Sequence, residues 1–343
     1  MLPRYAYATL LTDNSFYYGV EALLKSLEAT KSQYPLLLLY TASVSKSTIK
    51  SLIHKRQAVY NGEQAPGKLA PQDEKEYDSC PAVTGSEDIS CDVRASEPES
   101  KEGHQGALGK GDTPFDRDSK PKGNLDEHLS ENEASESVLS KDGKICVIPR
   151  LVDPIPYPDN KKSKCHVPGW ETCFTKLRLW EQSDFDVVVY VDADCIVLDC
   201  IDDLFFRQPL PAFAPDIFPP DKFNAGVVVL KPDAGEFEKM VSALAHLPSH
   251  DGSDTGFLNA YFASWYTSPA GARLPFRYNA QRTLYHMTYA SQRGYWDAVR
   301  PIKILHFCSS PKPWEPAGKQ TELEKLWWHV FLTGTIPVES DIV

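Results

Sequence analysis

The sequence lacks the features that mark exported and membrane-spanning chains. No charged segment followed by an apolar stretch opens it, no run of about 18 apolar residues occurs in it, and it has no Asn-X-Ser/Thr glycosylation acceptor. Its eight cysteines lie at scattered positions without paired Cys-X-X-Cys spacing, which is typical of reduced, mostly buried thiols rather than of a zinc site. These absences predict a cytoplasmic protein, with the nucleus as the alternative, and no membrane partner.

Acidic side chains outnumber basic ones, and this limits the molecules that the protein can bind. The net charge of -11 argues against a general binder of nucleic acid or of anionic membranes. Residues 61–144 carry 20 acidic and 10 basic side chains, and their only aromatic residues are Tyr77 and Phe115. Such a segment cannot bury enough apolar surface to offset its ordering entropy. We therefore expect 61–144 to be an acidic, disordered insertion in a surface loop, either a phosphorylatable docking arm or a tolerated low-complexity insert.

The rest of the chain, residues 1–60 and 145–343, alternates predicted strands and helices. A buried strand at 5–11 precedes a helix at 15–30, and a second strand at 36–40 precedes a helix at 45–60. This alternation indicates one α/β domain with a mostly parallel sheet. Further strands are predicted at 145–148, 187–194, 223–230 (with a tight turn at its start) and 302–307, and further helical segments at 172–180, 201–205, 236–246, 255–265 and 323–332.

Two carboxylates, Asp192 and Asp194, end the predicted strand at 187–194. If extended geometry continues through Asp194, both side chains project to the same side, about 7 Å apart along the chain, and can converge on one cation. Carboxylate oxygens suit Mg²⁺ or Mn²⁺, which commonly bind a few carboxylates together with substrate phosphates. A polar strand terminus or a helix cap is the alternative interpretation of the motif on its own.

His306 and Lys312 follow the strand predicted at 302–307. Open α/β sheets bind ligands beyond the carboxyl ends of their strands, so we expect both residues to lie at the same rim as the carboxylate pair. An imidazole added to two carboxylates favours Mn²⁺ over Mg²⁺, and Lys312 could neutralise a diphosphate. A hydrogen-bonded structural histidine and a solvated lysine are the alternatives.

A second acidic cluster, with Asp251 and Asp254, opens the helix predicted at 255–265. Asp254 could be the N-cap of that helix. Beside a metal-bound diphosphate, it could instead hold sugar hydroxyls or stabilise an oxocarbenium-like centre. Asn224 has the same two interpretations, as a turn former or as a sugar contact.

Eight ordered motifs extend through nearly all of the chain outside the insertion. They are Thr9–Thr12, Thr175–Trp180, Val191–Asp194, Ile201–Phe205, Phe223–Gly226, Asp251–Gly256, Leu274–Asn279 and His306–Trp314. These motifs resemble those of glycogenin and its relatives in glycosyltransferase family 8. The resemblance implies a GT-A fold, which is Rossmann-like, and a retaining transfer of a hexose from a UDP-sugar with Mn²⁺, or Mg²⁺ as the alternative.

The resemblance also implies roles for individual residues. Asp192, Asp194 and His306 would bind the metal, while Asp254 and Lys176 would be the catalytic residues at the sugar. The uridine would be held by Leu10, Thr12, Asp13 and Phe16, and the diphosphate by Ser309 and Lys312. The implied donor-binding residues are Leu10, Thr12, Asp13, Phe16, Lys176, Asp192, Ala193, Asp194, Asn224, Ala225, Asp251, Asp254, Thr255, His306, Ser309 and Lys312.

Three departures from the family pattern concern the donor. Phe16 and Thr255 stand where glycogenin has Tyr and Gln, and Val167 stands where it has a donor-binding Arg. These departures leave the identity of the donor hexose open. With its predicted cytoplasmic location, the chain resembles the protist glycogenin-like α-galactosyltransferases that modify a glycan on a ubiquitin-ligase adaptor. We therefore expect UDP-galactose as donor, a glycan or glycoprotein as acceptor, and a homodimer.

Two other functions remain open at this point. One is a self-glucosylating glycogenin that uses UDP-glucose. Tyr285 lies near the position of the self-glucosylated tyrosine, but its spacing from Tyr278 and Asn279 differs by one residue. The other is an inactive, lectin-like scaffold that uses the acidic insertion as a docking arm.

Overall fold

Nine strands and seven α-helices make up the part of the chain that the computed structural model describes, which is residues 4–54, 56, 143–159, 170–219, 221–289, 294–318 and 321–337. All of these residues belong to one unit, residues 1–61 together with 135–343. The predicted insertion at 61–144 lies outside the described residues except for Gly143 and Lys144, and Val167 also lies outside them.

The strands are β1 (Tyr5–Leu11), β2 (Leu36–Tyr40), β3 (Val147–Leu151), β4 (Val187–Val191), β5 (Cys195–Val197), β6 (Ala212–Pro215), β7 (Phe223–Leu230), β8 (Ala280–Gln281) and β9 (Ile304–His306). The α-helices are α1 (Tyr17–Ala29), α2 (Lys46–His54), α3 (Ala234–Ala243), α4 (Asp254–Tyr261), α5 (Arg282–Leu284), α6 (Gly294–Ala298) and α7 (Glu322–Thr333). Shorter or tighter helical segments are Asn14–Phe16, Trp170–Leu179, Asp202–Phe206, Trp265–Thr267, Ala270–Ala272, Phe276–Tyr278 and Tyr285–Tyr289.

The central sheet has the strand order β3-β2-β1-β4-β7-β6. The pairings β3–β2, β2–β1 and β1–β4 are parallel, while β4–β7 and β7–β6 are antiparallel. The predicted α/β fold with a mostly parallel sheet is therefore confirmed. Its inner strands read as uninterrupted apolar runs because both faces are covered.

Each inner strand supplies both faces of the core with alternate residues. Leu36 and Val189 belong to the apolar cluster that packs under α1 and α2. Leu37 and Val188 point the other way, into the cluster beneath α3, α4 and the Trp170–Leu179 segment. Because both clusters need these strands, the sheet holds the positions of its carboxyl ends, where the polar motifs lie.

β3 begins two residues later than predicted, at Val147 rather than at position 145, and it continues past Pro149. The prediction stopped before this proline because proline has no N–H to donate to a strand ladder. The structure places β3 at the edge of the sheet, paired with β2 alone among the described strands. An edge strand tolerates proline, which explains the longer strand.

β7 begins at Phe223, so the turn predicted at the start of this strand is wrong. Across from it, Phe213 of β6 pairs with Val228 while Ala214 pairs with Asn224. The three intervening residues of β7 form a bulge, which sequence patterning does not reveal because its cause is the register of the partner strand. The bulge carries Gly226 toward His306.

A second, three-stranded sheet has the order β5-β9-β8. Cys195 of β5 lies opposite His306 of β9 in an antiparallel pair, and Gln281 of β8 lies on its other side. This small sheet brings the end of the late strand against the turn that follows β4. It therefore joins residues more than a hundred positions apart in the sequence.

Candidate functional site

A cavity of about 270 Å³ opens beyond the carboxyl ends of β1 and β4, beside β7 and the first turn of α4. It brings together most of the residues that the sequence implied for donor binding. Those that line it are Leu10, Thr12, Phe16, Lys176, Asp192, Ala193, Asp194, Asn224, Asp251, Asp254, Thr255, His306 and Lys312.

Asp192 and Asp194 lie in a turn, so the expectation that strand geometry continues through both is wrong. β4 ends at Val191, and the Cys195 N–H donates to the Asp192 carbonyl at 3.0 Å, which turns the chain directly into β5. The carboxylates nevertheless converge. Asp194 Oδ1 lies 3.1 Å from His306 Nε2, and Asp192 Oδ2 lies 3.9 Å from the same nitrogen. A tight turn, rather than the alternation of side chains along a strand, thus brings the two carboxylates together.

These three side chains form a donor set that fits a divalent cation. Asp194 and His306 are buried, and His306 Nε2 faces two carboxylate groups rather than a hydrogen-bond donor. Carboxylate oxygens with one imidazole suit Mn²⁺ or Mg²⁺. Cys195 also has its sulfur within 4.8 Å of ligand atoms of Asp194 and His306. Burial raises the pKa of its thiol well above the usual range, so it is a poor ligand for a hard cation.

Lys312 lies next to this donor set. Its Nζ is 2.6 Å from Asp194 Oδ2 and donates to the Phe307 carbonyl at 2.9 Å. Burial alone would lower the lysine pKa, but the Asp194 carboxylate outweighs it and raises that pKa. Burial would likewise raise the pKa of Asp194, and Lys312 reverses this and holds it well below its usual value. Both groups are therefore charged.

A second cluster joins Lys176 to two carboxylates. Its Nζ lies 2.8 Å from Asp254 Oδ2 and 3.1 Å from Asp192 Oδ1, and it donates to the Ala225 carbonyl at 3.1 Å. Burial would lower the pKa of Lys176, but the two carboxylates raise it instead. Burial raises the pKa of Asp254, opposed by Lys176 and reinforced by Asp192. Lys176 thereby links the carboxylate turn to the N-terminus of α4.

The first turn of α4 shows that the N-cap is Ser253 and not Asp254. The Ser253 hydroxyl accepts the Thr255 N–H at 3.0 Å. Asp251 is the organiser of this turn, because it accepts from the Ser253 N–H, the Gly256 N–H and the hydroxyls of Ser249 and Ser253. Asp254, freed from capping, projects into the cavity. Its Oδ2 accepts no well-directed hydrogen bond from the described residues, although Lys176 lies close.

Three residues implied for donor binding do not line the cavity. Asp13 caps the Asn14–Phe16 segment by accepting the Ser15 N–H at 2.7 Å. Ala225 is fully buried and contributes backbone groups, since its N–H donates to Thr255 Oγ1 at 3.2 Å. Ser309 accepts from Arg282 through both its hydroxyl and its carbonyl. In each case the polar groups are committed to neighbouring protein atoms.

The cavity also contains residues that the sequence analysis missed. Tyr190 lies within the strand predicted at 187–194 and was not named as a site residue, yet its hydroxyl donates to Asp192 Oδ1 at 2.5 Å. Asp216 follows β6 directly, just as Asp192 follows β4, and this strand-terminal position was an available signal. The missed lining residues are Thr172, Cys173, Tyr190, Asp216, Ser253 and Cys308.

Tyr285, the candidate for self-modification, is buried, and its hydroxyl donates to Glu322 Oε2 at 2.9 Å.

In the described part of the chain, the helices are too short or too polar to cross a membrane.

The central sheet and the small second sheet have the arrangement of the GT-A fold. The crystal structure of the galactosyltransferase LgtC in complex with donor and acceptor sugar analogs is similar, with a TM-score of 0.53 over 98% of this chain and 98% of that chain. The two sequences are 14% identical, so the likeness concerns the fold.

Sequence similarity to known proteins extends over about half of the chain. The family model "Glycosyl transferase family 8" matches residues 211–318. Glycogenin-1 of Mus musculus is 33% identical over 180 residues, which cover 48% of this chain and 53% of the relative. Glycogenin-1 of Homo sapiens is 34% identical over 191 residues, 50% of this chain and 52% of the relative. The chain is similar to the glycogenins and, over residues 211–318, to glycosyltransferase family 8, and it spans about half the length of these relatives.

Proposed function

We propose that this protein is a retaining, Mn²⁺-dependent transferase that moves a hexose from a UDP-hexose, with UDP-galactose favoured, to a glycan carried by a cytoplasmic protein, and that it works as a homodimer. The observation that carries the proposal is the adjacency of two clusters in one cavity. The Asp192–Asp194–His306 donor set lies at one end of the Lys176 bridge, and Asp254 lies at the other. A metal-bound diphosphate and the sugar attached to it need this adjacency.

The donor set accounts for departure of the nucleotide. When bound by Asp192, Asp194 and His306, a divalent cation would neutralise negative charge on the leaving UDP. Lys312 supplies a further positive charge beside Asp194, and its Nζ lies 5.8 Å from the centre of the Phe16 ring. Lys312 thus stands between the metal ligands and the aromatic ring proposed to pack near the uracil base. This position suits contact with the diphosphate.

Asp254 accounts for stabilisation of the sugar. It is the first residue of α4, it is buried, it lines the cavity, and its Oδ2 lies 2.8 Å from Lys176 Nζ. Negative charge is favourable at a helix N-terminus, so the helix supports the ionised form that burial opposes. A carboxylate held by Lys176 can stabilise positive charge that develops at the anomeric carbon.

Donor choice is proposed to depend on Thr255. Its hydroxyl accepts the Ala225 N–H and is therefore committed to the backbone. Glycogenin has a longer Gln at this position. The exchange shortens the side chain on the sugar side and removes an amide. This difference supports a donor other than UDP-glucose.

A donor screen tests the proposal. The full chain with Mn²⁺ is incubated with UDP-galactose or UDP-glucose and a panel of glycan acceptors, and both the products and the intact protein are analysed by mass spectrometry. We expect hexose on the acceptor, most rapidly from UDP-galactose, and an unchanged protein mass. Absence of both hydrolysis and transfer with either donor would contradict a transferase function.

Self-glucosylation is the second candidate, and the glycogenin relatives favour it. Stepwise addition of hexoses to the intact protein from UDP-glucose would establish it. The burial of Tyr285 and its bond to Glu322 argue that this tyrosine is not the acceptor.

A further inference from the structure

We propose that Asn279 is a positioning residue that holds the His306 ring in one tautomer, with hydrogen on Nδ1 and a free lone pair on Nε2 for a cation. The consequence for catalysis rests on the metal-dependent function proposed above, whereas the tautomer itself can be measured without it.

Asn279 lies behind the metal-ligand histidine. It follows the Phe276–Tyr278 segment, where its N–H donates to the Phe276 carbonyl, and its side chain is fully buried. Its Oδ1 lies 2.8 Å from His306 Nδ1, on the ring edge away from the carboxylates. Its Nδ2 donates to Asn224 Oδ1 at 2.9 Å. Both ends of the amide are therefore engaged.

A backbone N–H determines which end of each amide faces which partner. The Gly226 N–H donates to the Asn224 side chain at 2.8 Å, so the atom that receives it is the amide oxygen. The same oxygen meets Asn279, which must present its NH₂ group there and its own oxygen to His306. An amide oxygen can only accept, so the hydrogen on the His306–Asn279 bond belongs to Nδ1. The tautomer follows from the chain Gly226–Asn224–Asn279–His306.

With the hydrogen on Nδ1, the Nε2 lone pair faces Asp194 Oδ1 at 3.1 Å. Two lone pairs at this distance repel unless a positive centre lies between them, which a bound cation provides. In the other tautomer, Nε2–H would donate to Asp194, and the nitrogen and that carboxylate oxygen would both be lost as ligands. The hydrogen bond from Asn279 therefore favours the binding-competent ring.

Gly226 makes this arrangement sterically feasible. A Cβ at this position would lie 2.3 Å from His306 Cε1 and 2.6 Å from Nδ1, well inside contact distance. The close approach of β7 to the imidazole allows the Gly226 N–H to reach Asn224 while the ring stays against the carboxylates. Glycine is needed here for space, since any side chain would push the ring away.

The first experiment reads the tautomer directly. Metal-free protein labelled with ¹⁵N-histidine is examined by long-range ¹H–¹⁵N NMR at pH 8.5, and the His306 signals are assigned by their loss in His306→Gln. We expect a protonated Nδ1 in the metal-free protein, and an unprotonated Nε2 once Mg²⁺ and UDP are added. A metal-free ring that carries hydrogen on Nε2 alone would overturn the proposal, whatever the enzyme's activity.

The second experiment measures Mn²⁺ binding in the presence of UDP, by the electron paramagnetic resonance signal of free Mn²⁺. Asn279→Leu removes the acceptor and should weaken Mn²⁺ binding about 10- to 100-fold, the usual effect of losing such a partner. Asn279→Asp keeps an acceptor oxygen for Nδ1 and should bind Mn²⁺ more tightly than Asn279→Leu. Equal affinities of these two variants, or wild-type affinity in Asn279→Leu, would refute the role.

Gln182→Leu is the matched control, because it removes another buried amide that contacts Arg150 and Arg178 rather than the cavity. Its Mn²⁺ affinity should equal that of the wild type. Thermal melting of every variant shows whether the fold is retained. Protein that binds Mn²⁺ and shows the expected tautomer but transfers no hexose would refute the proposed function alone.

Discussion

Two groups of buried charges in this molecule differ in the balance of acidic and basic side chains. Beneath α1, Arg56 donates to Glu21 at 2.9 Å and to Glu28 at 2.7 Å, and Lys144 also reaches Glu28. Each carboxylate there has at least one cation of its own. In the described part of the chain, the cavity is lined instead by five carboxylates and two lysines, the acids being Asp192, Asp194, Asp216, Asp251 and Asp254.

The difference shows which buried charges indicate a binding site. Removing charges from water is costly, and a matched cluster such as that of Arg56 offsets the cost within the protein. The cavity leaves the cost partly uncompensated, which a fold tolerates where a cationic ligand or a developing positive charge completes the set. Both groups are buried, so burial does not distinguish them. The excess of negative charge distinguishes the cavity from the Arg56 cluster.

The largest expected effect is on catalysis. Asp194→Asn keeps the shape of the side chain but removes the charge that faces His306 and Lys312, so we expect Mn²⁺-dependent turnover to fall more than about 100-fold. Initial rates over a Mn²⁺ titration measure this. Glu21→Gln in the cluster beneath α1 is the matched control, and it should lower stability while leaving the rate per folded molecule unchanged. Similar rate losses in both variants would erase the distinction between the two clusters.

A large effect on stability is expected from the other cluster. Arg56→Met leaves Glu21 and Glu28 buried without their principal partner, and loss of one member of a buried pair costs about 3–5 kcal/mol. Urea denaturation followed by circular dichroism measures this change. Turnover by the folded fraction should stay at the wild-type level, and a selective loss of turnover would show that this cluster does serve the cavity. Arg56→Lys should lose less stability.

An intermediate effect is expected at the loop that carries Lys312. Arg282 is buried, is paired with Glu324 at 2.8 Å, and donates to the carbonyls of Ser309 and Pro311. Arg282→Met releases this loop, so we expect the KM for the UDP-hexose to rise about 10-fold or more. Arg282→Lys keeps the charge without the planar fork and tests whether geometry matters. An unchanged KM in Arg282→Met would show that the loop holds its position without this clamp.

The smallest effect is expected from excision of the acidic segment. Arg56 and Lys144 both bond to Glu28, so the chain positions that flank the segment lie close together. Replacement of residues 61–142 by a short Gly/Ser linker should shift the melting temperature by only a few degrees, because loop-closure entropy changes slowly with length. Differential scanning calorimetry and the transfer assay measure this. A collapse of stability would contradict the prediction that residues 61–144 are a surface-loop insertion.

The sequence allowed the alternation of strands and helices and most of the cavity-lining residues to be predicted. Apolar runs reveal buried strands, and acids that directly follow a run, as Asp192 and Asp194 do, are expected at a ligand-binding edge. The fold class followed because local pattern and packing agree along β1, β2 and β4.

What the sequence did not reveal depends on contacts between distant segments. Asn224 was assigned to a turn because the Asn-Ala-Gly pattern favours one, but the register of β6 against β7 overrides that preference. Asp254 was a candidate N-cap until its neighbour Ser253 took that role. Tyr190 resembles any buried strand residue until its hydroxyl is seen at Asp192.

The pairing of Cys195 with His306 has a practical consequence for handling this protein. Side chains alternate between the two faces of a strand, so a slip of one residue between β5 and β9 would turn the imidazole away from the carboxylates. The central sheet shares no strand with this small one and would keep most of its apolar core. Such molecules would keep the central sheet and yet lose the cation site. The fraction of a preparation that binds Mn²⁺ is therefore a better measure of correctly folded protein than its melting temperature.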